Sequence, residues 1–325
     1  MNKQHFFQEI GFLEKLFLAW NEFVKGKKNK RDVAEFSLRL SENIFVLYED
    51  LKNKSYTHAS YHAFNISDPK PRNIHKASVR DRLLHHAIYR VLYPYFDIKF
   101  IHDSYSCRKH KGTHSAMNRF RTFTRKVSKN NTKQCFILKC DVRKFFASID
   151  HKTLMNILKY HKLDRDTLWL LNQLISSFNS TKVGKGLPLG NLTSQLLVNI
   201  YMNEFDQYVK HRLNQKYYIR YADDFVVMGT DRTELEKALV QIKFFLKDNL
   251  LLDLHPDKVF IKTYSSGVDF LGWVNFPTHR VLRTVTKKRM FQNLKSNPKP
   301  ETLQSYLGLL SHGNTRKLKN QVINM

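Results

Sequence analysis

Two adjacent aspartates, Asp223 and Asp224, are the residues of this chain whose type and spacing first indicate chemistry. They lie in the stretch 217–228, whose β-branched and aromatic residues predict two strands joined by a tight polar turn. Adjacent carboxylates between apolar strands are electrostatically unfavourable unless a cation lies against them. A pair of divalent metal ions would meet this need, and two-metal sites catalyse in-line phosphoryl transfer. The alternative is a solvated turn, in which Asp is a common residue.

Asp141 is the candidate for the second arm of such a site. It ends a short apolar strand predicted over 136–141, and one hairpin alone cannot surround two metal ions. The residues that follow could offer a backbone carbonyl to a metal, at Val142, and an aromatic wall, at Phe145 and Phe146. The alternative is that Asp141 caps the N-terminus of the next helix. Oxygen ligands and phosphate favour Mg²⁺ over softer metals.

A glycine- and proline-containing loop lies between the two acidic elements. It runs from Gly186 to Gln195, and its glycines let the backbone approach a base pair or a sugar closely. Lys258 follows the second acidic element and could contact a phosphate or protonate a leaving pyrophosphate. Taken alone, Lys258 would be interpreted as a surface lysine.

The charge balance indicates a polyanionic partner. The 325 residues include 55 Lys and Arg against 28 Asp and Glu, a formal net charge of +27 that is spread over much of the chain. Nucleic acid is the first expectation, and an anionic membrane surface is its competitor. No apolar run approaches the ~20 residues that span a bilayer. The three cysteines lack zinc-ligand spacing, which predicts free thiols in a reducing cytoplasm.

The elements that must position these residues follow from hydrophobic periodicity and turn signals. Helices are predicted within 1–60, including one over 33–52, and over 80–96, 152–160, 165–178, 194–213, 233–250 and from 286 onward. Strands are predicted on either side of a proline turn within 65–75 and over 136–141, 259–263 and 270–276. This mixture predicts an α+β fold with a small antiparallel sheet.

The order of the motifs identifies a family resemblance. Pro69-Lys70-Pro71-Arg72, Arg80-Asp81-Arg82 and the segment 104–116 come first, followed by Asp141 with Phe145-Phe146. The Leu187-Pro188-Leu189-Gly190 loop, Tyr221-Ala222-Asp223-Asp224, Lys258 and Phe270-Leu271-Gly272-Trp273 complete the set. This series resembles the reverse transcriptases of bacterial group II introns and retroelements, over about residues 60–312. The resemblance implies a right-hand polymerase with an N-terminal helical extension (1–60), fingers (61–135), a palm (136–277, with helices returning over 160–183) and a helical thumb (278–325).

The resemblance also implies a role for each matching residue. Asp141, Asp223 and Asp224, with the backbone of Val142, would hold two Mg²⁺, and Lys258 would assist catalysis. The dNTP would contact Lys70, Arg72, Val142, Phe146, Leu189 and Gly190, with Phe146 as the steric gate against a 2′-hydroxyl. Template and primer would contact Arg82, Arg108, Lys111, Gln195, Tyr221, Gly272, Trp273, Lys287, Lys288 and Arg289.

Leu189 and its loop indicate which group of reverse transcriptases the chain resembles most. The loop over 186–195 resembles that of the reverse transcriptases of diversity-generating retroelements. Most other reverse transcriptases have Gln where Leu189 stands and Ser-Pro where Ser194-Gln195 stands. Leu189 would lie against the nascent base pair and offer only apolar contact, so we expect low fidelity. For that group the resemblance implies a template RNA, a cDNA product and a small, basic, oligomeric accessory protein or a structured RNA. Several reverse transcriptases of antiphage defence share the loop and stay open as an alternative, as does a non-catalytic RNA-binding protein.

Overall fold

The computed structural model describes residues 5–67 and 71–324. The helices are α1 (Phe6–Gly11), α2 (Leu13–Phe23), α3 (Arg31–Leu38), α4 (Leu40–Lys52), α5 (Val79–Asp97), α6 (Thr113–Val127), α7 (Phe145–Ser148), α8 (His151–Tyr160), α9 (Arg165–Ser176), α10 (Leu192–Gln207), α11 (Arg232–Leu250), α12 (Thr284–Ser296), α13 (Pro300–Leu310) and α14 (Arg316–Ile323). The strands are β1 (His62–Ile66), β2 (Arg72–Lys76), β3 (Phe136–Asp141), β4 (Tyr218–Tyr221), β5 (Asp224–Gly229), β6 (Phe260–Thr263), β7 (Val268–Phe270), β8 (Trp273–Asn275) and β9 (Arg280–Leu282). No helix in these described ranges is long and apolar enough to cross a membrane.

The chain forms two compact units, each assembled from separate stretches of sequence. The first unit comprises residues 1–102, 142–208 and 244–253, and the second comprises 103–141, 209–243 and 254–325. The division into an extension, fingers, a palm and a thumb stays a prediction.

Helix α5 forms the centre of the first unit, where it contacts α1, α2 and α10. It begins at Ser78, whose side chain accepts a hydrogen bond from the backbone N–H of Asp81. The Asp81 carboxylate is fully buried and accepts hydrogen bonds from the Tyr56 hydroxyl, at 2.7 Å, and from the Ser78 hydroxyl, at 2.7 Å. Beside it, His85 Nε2 lies 3.3 Å from His58 Nε2 in the buried interior. Burial, followed by the nearby His58, His86 and Arg82, holds the pKa of His85 well below its usual value.

Two of the predicted helices differ from the structure in this unit. The helix predicted over 33–52 is divided at Arg39, whose φ of −123° and ψ of 44° are not helical. The Asn43 side chain donates to the carbonyl of Phe36 at 2.9 Å and so satisfies an acceptor that the break leaves without a helical partner. The helix predicted over 194–213 is α-helical only to Gln207 and continues as a π-helical turn over Tyr208–Arg212.

The second unit contains a four-stranded antiparallel sheet in the order β4-β5-β3-β6. Its strands alternate in the expected period of two, so that Ile137, Ile219 and Val226 point into one core with Phe120 of α6. Together with the helices and the small separate sheets, this confirms the predicted α+β class.

A second, three-stranded antiparallel sheet has the order β7-β8-β9. The single strand predicted over 270–276 is wrong, because the chain turns at Leu271 (φ +51°) and Gly272 (φ +86°) and forms a hairpin. Strand β9 was not predicted and extends this sheet to Leu282, four residues past the predicted start of the thumb at 278. Helices α12 to α14 follow and bury a small apolar cluster that contains Met290, Leu310 and Trp273.

Candidate active site

Strand register places two of the predicted carboxylates opposite each other in the second unit. In the β3–β5 ladder Asp141 is the partner of Asp224, and in the β4–β5 ladder Tyr221 is the partner of Asp224. Ala222 and Asp223 therefore form a two-residue turn, in which Ala222 has a φ of +55°. Like charges directly opposite on neighbouring strands are destabilising. The structure thus places Asp141 opposite Asp224, with Asp223 in the adjoining turn. The helix-cap alternative for Asp141 is wrong, because Lys144 occupies the N-cap of α7.

Two lysines neutralise the opposed carboxylates. The Nζ atom of Lys258 lies 2.8 Å from Oδ1 of Asp141. The Nζ atom of Lys139 lies 3.2 Å from Oδ2 of Asp224. Lys258 is positioned by a 3₁₀ turn over Pro256–Lys258, which is attached to β3 because the backbone N–H of His255 donates to the carbonyl of Asp141 at 2.7 Å.

Lys139 was not predicted from the sequence. It lies two residues before Asp141 on β3, so both side chains are on the same face of the strand. Its partner in the ladder is Val226, which makes Asp224 its diagonal neighbour. Its signal in the sequence is a charged residue that lies between the apolar residues of this strand. In the structure its side chain is only 11% exposed.

The surroundings of Asp224 perturb its carboxyl group strongly. Burial above all, with the Lys139 ammonium opposing it and the charges of Asp141 and Asp223 adding to it, raises the pKa of Asp224 to about 7. Its Oδ1 atom is buried and has no hydrogen-bond partner within the part of the chain that the structure describes. The solvated-turn alternative is therefore wrong for Asp224. Such an oxygen needs a cation or a donor, and the described residues supply neither at Oδ1.

The side chain of Arg220 holds the backbone of the Ala222–Asp223 turn. Its side chain is fully buried in β4, where Nη1 donates to the carbonyl of Ala222 and Nη2 to the hydroxyl of Ser104, both at 3.1 Å. A buried guanidinium that holds the turn carbonyl fixes the backbone on which Asp223 lies. The sequence predicted no role for Arg220. The only signal was its position between apolar residues directly before the turn.

In the first unit, the glycine-containing loop is attached to β2. The backbone N–H of His75 donates to the carbonyl of Leu189 at 3.1 Å, and the Asn191 side chain donates to the carbonyl of His75 at 2.8 Å. The backbone N–H of Leu187 donates to the carbonyl of Phe146 at 2.8 Å. Phe146 and Leu189 are therefore held in one assembly with the β1–β2 hairpin.

Gly190 shows why this attachment requires glycine. Its φ is +104°, and a Cβ atom built there would lie 2.9 Å from Cγ2 of Ile74 on β2. A cavity of about 380 Å³ adjoins this contact and is lined by Gly190, Gln195 and Arg82, among others. The Arg82 guanidinium is paired with Asp32, which also accepts from Lys76 Nζ at 2.6 Å. Three residues predicted to contact dNTP or nucleic acid thus line one cavity.

The family model described as reverse transcriptase (RNA-dependent DNA polymerase) matches residues 66–274. This range includes all three aspartates and Lys258, and it covers more than half of the chain. The chain belongs to the reverse transcriptase family. The corresponding enzyme class is RNA-directed DNA polymerase, and the family generally uses divalent metal ions.

Known relatives and solved structures agree with this assignment. The chain is 27% identical to protein YkfC of Escherichia coli (strain K12) over 287 residues, which cover 75% of this chain and 72% of YkfC. It is 21% identical to the group II intron-encoded protein LtrA of Lactococcus lactis subsp. cremoris, covering 76% of this chain and 51% of LtrA. Apo telomerase from Candida tropicalis matches with a TM-score of 0.51 at 13% identity, over 72% of this chain and 58% of that one. Telomerase from Candida albicans, solved with a fragment of telomeric RNA, matches with a TM-score of 0.53 at 12% identity, over 80% of this chain and 54% of that one.

Two conclusions follow from these matches. The likeness to telomerases shows the right-hand polymerase fold that the sequence predicts. The chain spans about half the length of LtrA and of the telomerase chains. These matches therefore do not assign its template, primer or partners.

The reverse transcriptase carboxylates suit divalent ions in their chemistry. Among the described residues, no three His, Cys, Asp or Glu side chains converge as a ready-made metal site. Instead, the ammonium groups of Lys258 and Lys139 lie at oxygens of Asp141 and Asp224. These contacts mark where positive charge is needed, and Asp224 Oδ1 has no hydrogen-bond partner in the described part of the chain. An all-oxygen donor set with surplus negative charge fits hard divalent cations.

The other residues that were predicted to contact dNTP or nucleic acid are spread over several elements. Arg72 is exposed at the start of β2, and Lys70 lies outside the described residues. In the second unit, Arg108 donates to the carbonyl of Ser104 at 3.1 Å, and Lys111 Nζ lies 5.0 Å from the Tyr105 ring. The Tyr221 hydroxyl accepts from Thr113 at 3.2 Å, and Gly272 is in the β7–β8 turn. On α12, Lys287 and Lys288 are exposed and Arg289 is half-buried.

Trp273 requires a correction. Its side chain is 1% exposed and belongs to the apolar cluster of the second unit, so it is a core residue and offers no side-chain surface to a template or primer. A Cβ atom at Gly313 would lie 2.0 Å from its ring, which shows how closely the backbone packs on it. A large aromatic residue stabilises a core through the apolar area that it buries.

Proposed function

We propose that this chain is the reverse transcriptase of a diversity-generating retroelement, which copies a template RNA into cDNA with low fidelity. The observation that carries the polymerase activity is the opposed Asp141–Asp224 pair beside the Asp223 turn, within a chain of this family. The subgroup and the low fidelity depend on Leu189 and its loop.

Asp141, Asp223 and Asp224, with the carbonyl of Val142, would hold two Mg²⁺. When bound, such ions activate the primer 3′-hydroxyl and neutralise charge on the phosphates of the dNTP. Lys258 carries a proton on Nζ at the edge of this carboxylate set, where its side chain is 43% exposed. We propose that it neutralises Asp141 before metal and substrate bind and then contacts the triphosphate.

The first unit would hold the incoming nucleotide. Phe146 is joined by a backbone hydrogen bond to the loop that contains Leu189, and that loop is attached to β2, where Arg72 is exposed. Arg72, together with Lys70, would bind the triphosphate as a guanidinium and an ammonium suited to phosphate. Phe146 would exclude a 2′-hydroxyl by its size.

Asp223→Asn tests the catalytic assignment directly. We expect primer extension to be lost while RNA affinity is retained, because the change removes one carboxylate charge and keeps the side-chain shape. Asp231→Asn is the matched control, since Asp231 is exposed just after β5 and accepts from the backbone N–H of Thr233 at 2.7 Å. Extension that survives in Asp223→Asn would exclude the proposed active site. Loss of RNA binding would instead favour a role in RNA binding alone.

Leu189→Gln tests the fidelity proposal. An amide at this position can form hydrogen bonds that Leu cannot, so we expect fewer misincorporations per nucleotide copied. Leu189→Met is the control because it keeps the contact apolar at similar volume. An error rate that is the same in Leu189→Gln and the parent would refute the proposed role of Leu189.

The partners and the biological role follow the same proposal. With a net charge of +27, the chain would bind its template RNA and primer, dNTPs, and a basic oligomeric accessory protein or a structured RNA. It would act in the cytoplasm, where Cys107, Cys135 and Cys140 stay as the free thiols that the structure shows. Sequencing the cDNA made with the associated RNA tests the role. Errors directed to template adenines would support diversification, and repeated or untemplated products would support antiphage defence instead.

A further inference from the structure

A polar cavity in the second unit is not part of the site described above. It has a volume of about 340 Å³ and lies between α6, the β8–β9 turn and the α13–α14 loop. This volume is within the ~300–1,000 Å³ that is typical of small-molecule sites. We call it the Arg280 pocket, and its lining residues are Arg121, Tyr264, Asn275, Phe276, Pro277, Thr278, His279, Arg280, Ser311, His312, Gly313 and Asn314.

The lining of the Arg280 pocket carries positive charge without a counter-charge. It includes two guanidinium groups, Arg121 and Arg280, and no Asp or Glu. Among the described residues, neither arginine forms an ion pair with a carboxylate. Burial, followed by the nearby guanidinium of Arg121, lowers the pKa of Arg280. Two like charges in a partly buried site are unfavourable unless an anion lies between them.

The walls of the pocket are held in place before any ligand binds. The backbone N–H of Asn314 donates to the carbonyl of Arg280 at 2.9 Å, which ties the α13–α14 loop to β9. The backbone N–H of Phe276 donates to the carbonyl of His279 at 2.8 Å and closes the β8–β9 turn. Next to the loop, the ring of His312 stacks on that of His114 with centroids 3.5 Å apart. A site that is already ordered binds a ligand with a smaller entropic cost.

The pocket is far from the catalytic carboxylates. Tyr264, one of its lining residues, donates its backbone N–H to the carbonyl of Cys135, directly before β3. Asp141 is at the other end of β3. Six residues at about 3.3 Å per residue separate these two ends by about 20 Å. A ligand in the Arg280 pocket is therefore distinct from the dNTP and the primer terminus.

We propose that the Arg280 pocket binds a nucleotide phosphate at a second site, remote from the catalytic centre. Guanidinium groups bind phosphate oxygens through two parallel hydrogen bonds, and the Asn, Ser, Thr and Tyr groups of the lining supply further donors. The choice of phosphate over other anions rests on the proposed function, because a polymerase meets phosphate as nucleic acid and as free nucleotide. Both sources present the same chemistry, and the experiment separates them.

The test compares Arg121→Gln/Arg280→Gln with Arg125→Gln. Arg125 is exposed on α6, the helix that carries Arg121, and does not line the pocket, so Arg125→Gln controls for the loss of one positive charge from that helix. Binding of a fluorescent single-stranded RNA is measured by anisotropy at about 50 and 200 mM salt, where each phosphate contact contributes about −0.7 to the salt slope. Binding of ATP and of inorganic phosphate is measured by calorimetry on the Asp223→Asn protein, with and without the pocket substitutions.

If the phosphate belongs to RNA, the double variant binds RNA about tenfold more weakly than the Arg125→Gln control and has a shallower salt slope. If it belongs to free nucleotide, RNA affinity equals that of the control and one ATP-binding event is lost. Equal RNA and ATP binding in the double variant and the control overturns the proposal. So does a pocket that binds a polyglutamate peptide but neither phosphate compound.

Two further measurements keep the result interpretable. Primer extension at saturating template–primer should stay within about twofold in the double variant, so failure of this proposal is distinguishable from failure of the polymerase assignment. If the double variant does not fold, Arg121→Gln alone provides the test, because that side chain is exposed and exposed substitutions change stability by only about 0.5 kcal/mol.

Discussion

Replacing Lys139 by Met should make the stability of this protein depend on divalent metal. Lys139 Nζ lies 3.2 Å from Oδ2 of Asp224, and the two side chains are only 11% and 18% exposed. At this separation and an effective dielectric constant of about 20, their attraction is roughly 5 kcal/mol. Methionine keeps the length of the side chain and removes its charge. Asp224 would then lie opposite Asp141 without the nearest compensating cation.

The size of the expected stability loss follows from the charge that stays buried when its partner is removed. Breaking a buried ion pair costs about 3–5 kcal/mol, because the other charge stays buried and unpaired. We expect the lower end, about 3 kcal/mol, since both groups keep some contact with solvent. A bound divalent cation would replace the missing charge, so in Mg²⁺ the loss should fall to about 1 kcal/mol.

The assay is urea unfolding of the parent and the Lys139→Met variant, in EDTA and in Mg²⁺. Lys262→Met is the matched control, because Lys262 is exposed on the adjacent strand β6 and should change the free energy of unfolding by only about 0.5 kcal/mol. Asp224→Asn in the Lys139→Met background should recover part of the loss, since it removes the unpaired charge. The same loss with and without Mg²⁺ would refute the reasoning and assign Lys139 a packing role. An unchanged free energy of unfolding of Lys139→Met in EDTA would show that Asp224 does not depend on Lys139.

Three further predictions concern packing and pH. Gly313→Ala should destabilise the protein by more than about 2 kcal/mol, because its Cβ would lie 2.0 Å from the Trp273 ring. Gly308→Ala is the control: this residue is in α13 with nothing within 4 Å, so the change should stabilise the protein by about 0.5–1 kcal/mol. Equal shifts of the melting temperature in the two variants would contradict this packing. Gly190→Ala should cost about 1–3 kcal/mol, because its φ is +104° and the new methyl group would meet β2, and unchanged denaturant midpoints would contradict that attachment. His85 stays neutral in the fold while the unfolded chain takes up a proton below about pH 6.5, so stability should fall as the pH drops below that value, by at most about 1.4 kcal/mol per pH unit. His85→Gln should remove this component from unfolding curves measured at several pH values, and an unchanged pH slope would exclude it.

Local signals predicted the polymerase elements well. The Tyr221–Asp224 hairpin, the strand that ends at Asp141 and the loop at Leu189 each carry their signal in a few consecutive residues. Their order along the chain was enough to indicate the family, which the match over 66–274 confirms. Period-two alternation also fixes which face of β3 each side chain occupies, so it could have grouped Lys139 with Asp141.

Errors arose where a short-range pattern had two solutions. Seven residues from Phe270 to Phe276 fit one strand as well as a hairpin, and the positive φ values of Leu271 and Gly272 decide for the hairpin. Strand β9 has only three residues and is specified by its pairing with β8, which no local pattern reveals.

The residue types and the order of the motifs predicted a polymerase with a carboxylate site, because each motif consists of a few neighbouring residues. The partner of each charge was decided by the tertiary structure. Only the β3–β5 register opposes Asp141 and Asp224 and places Lys139 diagonally across from Asp224. It also buries an Asp224 oxygen that has no hydrogen-bond partner among the described residues. Only packing makes Trp273 a core residue and leaves Arg121 and Arg280 together around one cavity. The physical reason is that burial and pairing join residues far apart in the chain, and these contacts set the electrostatic free energy of each group.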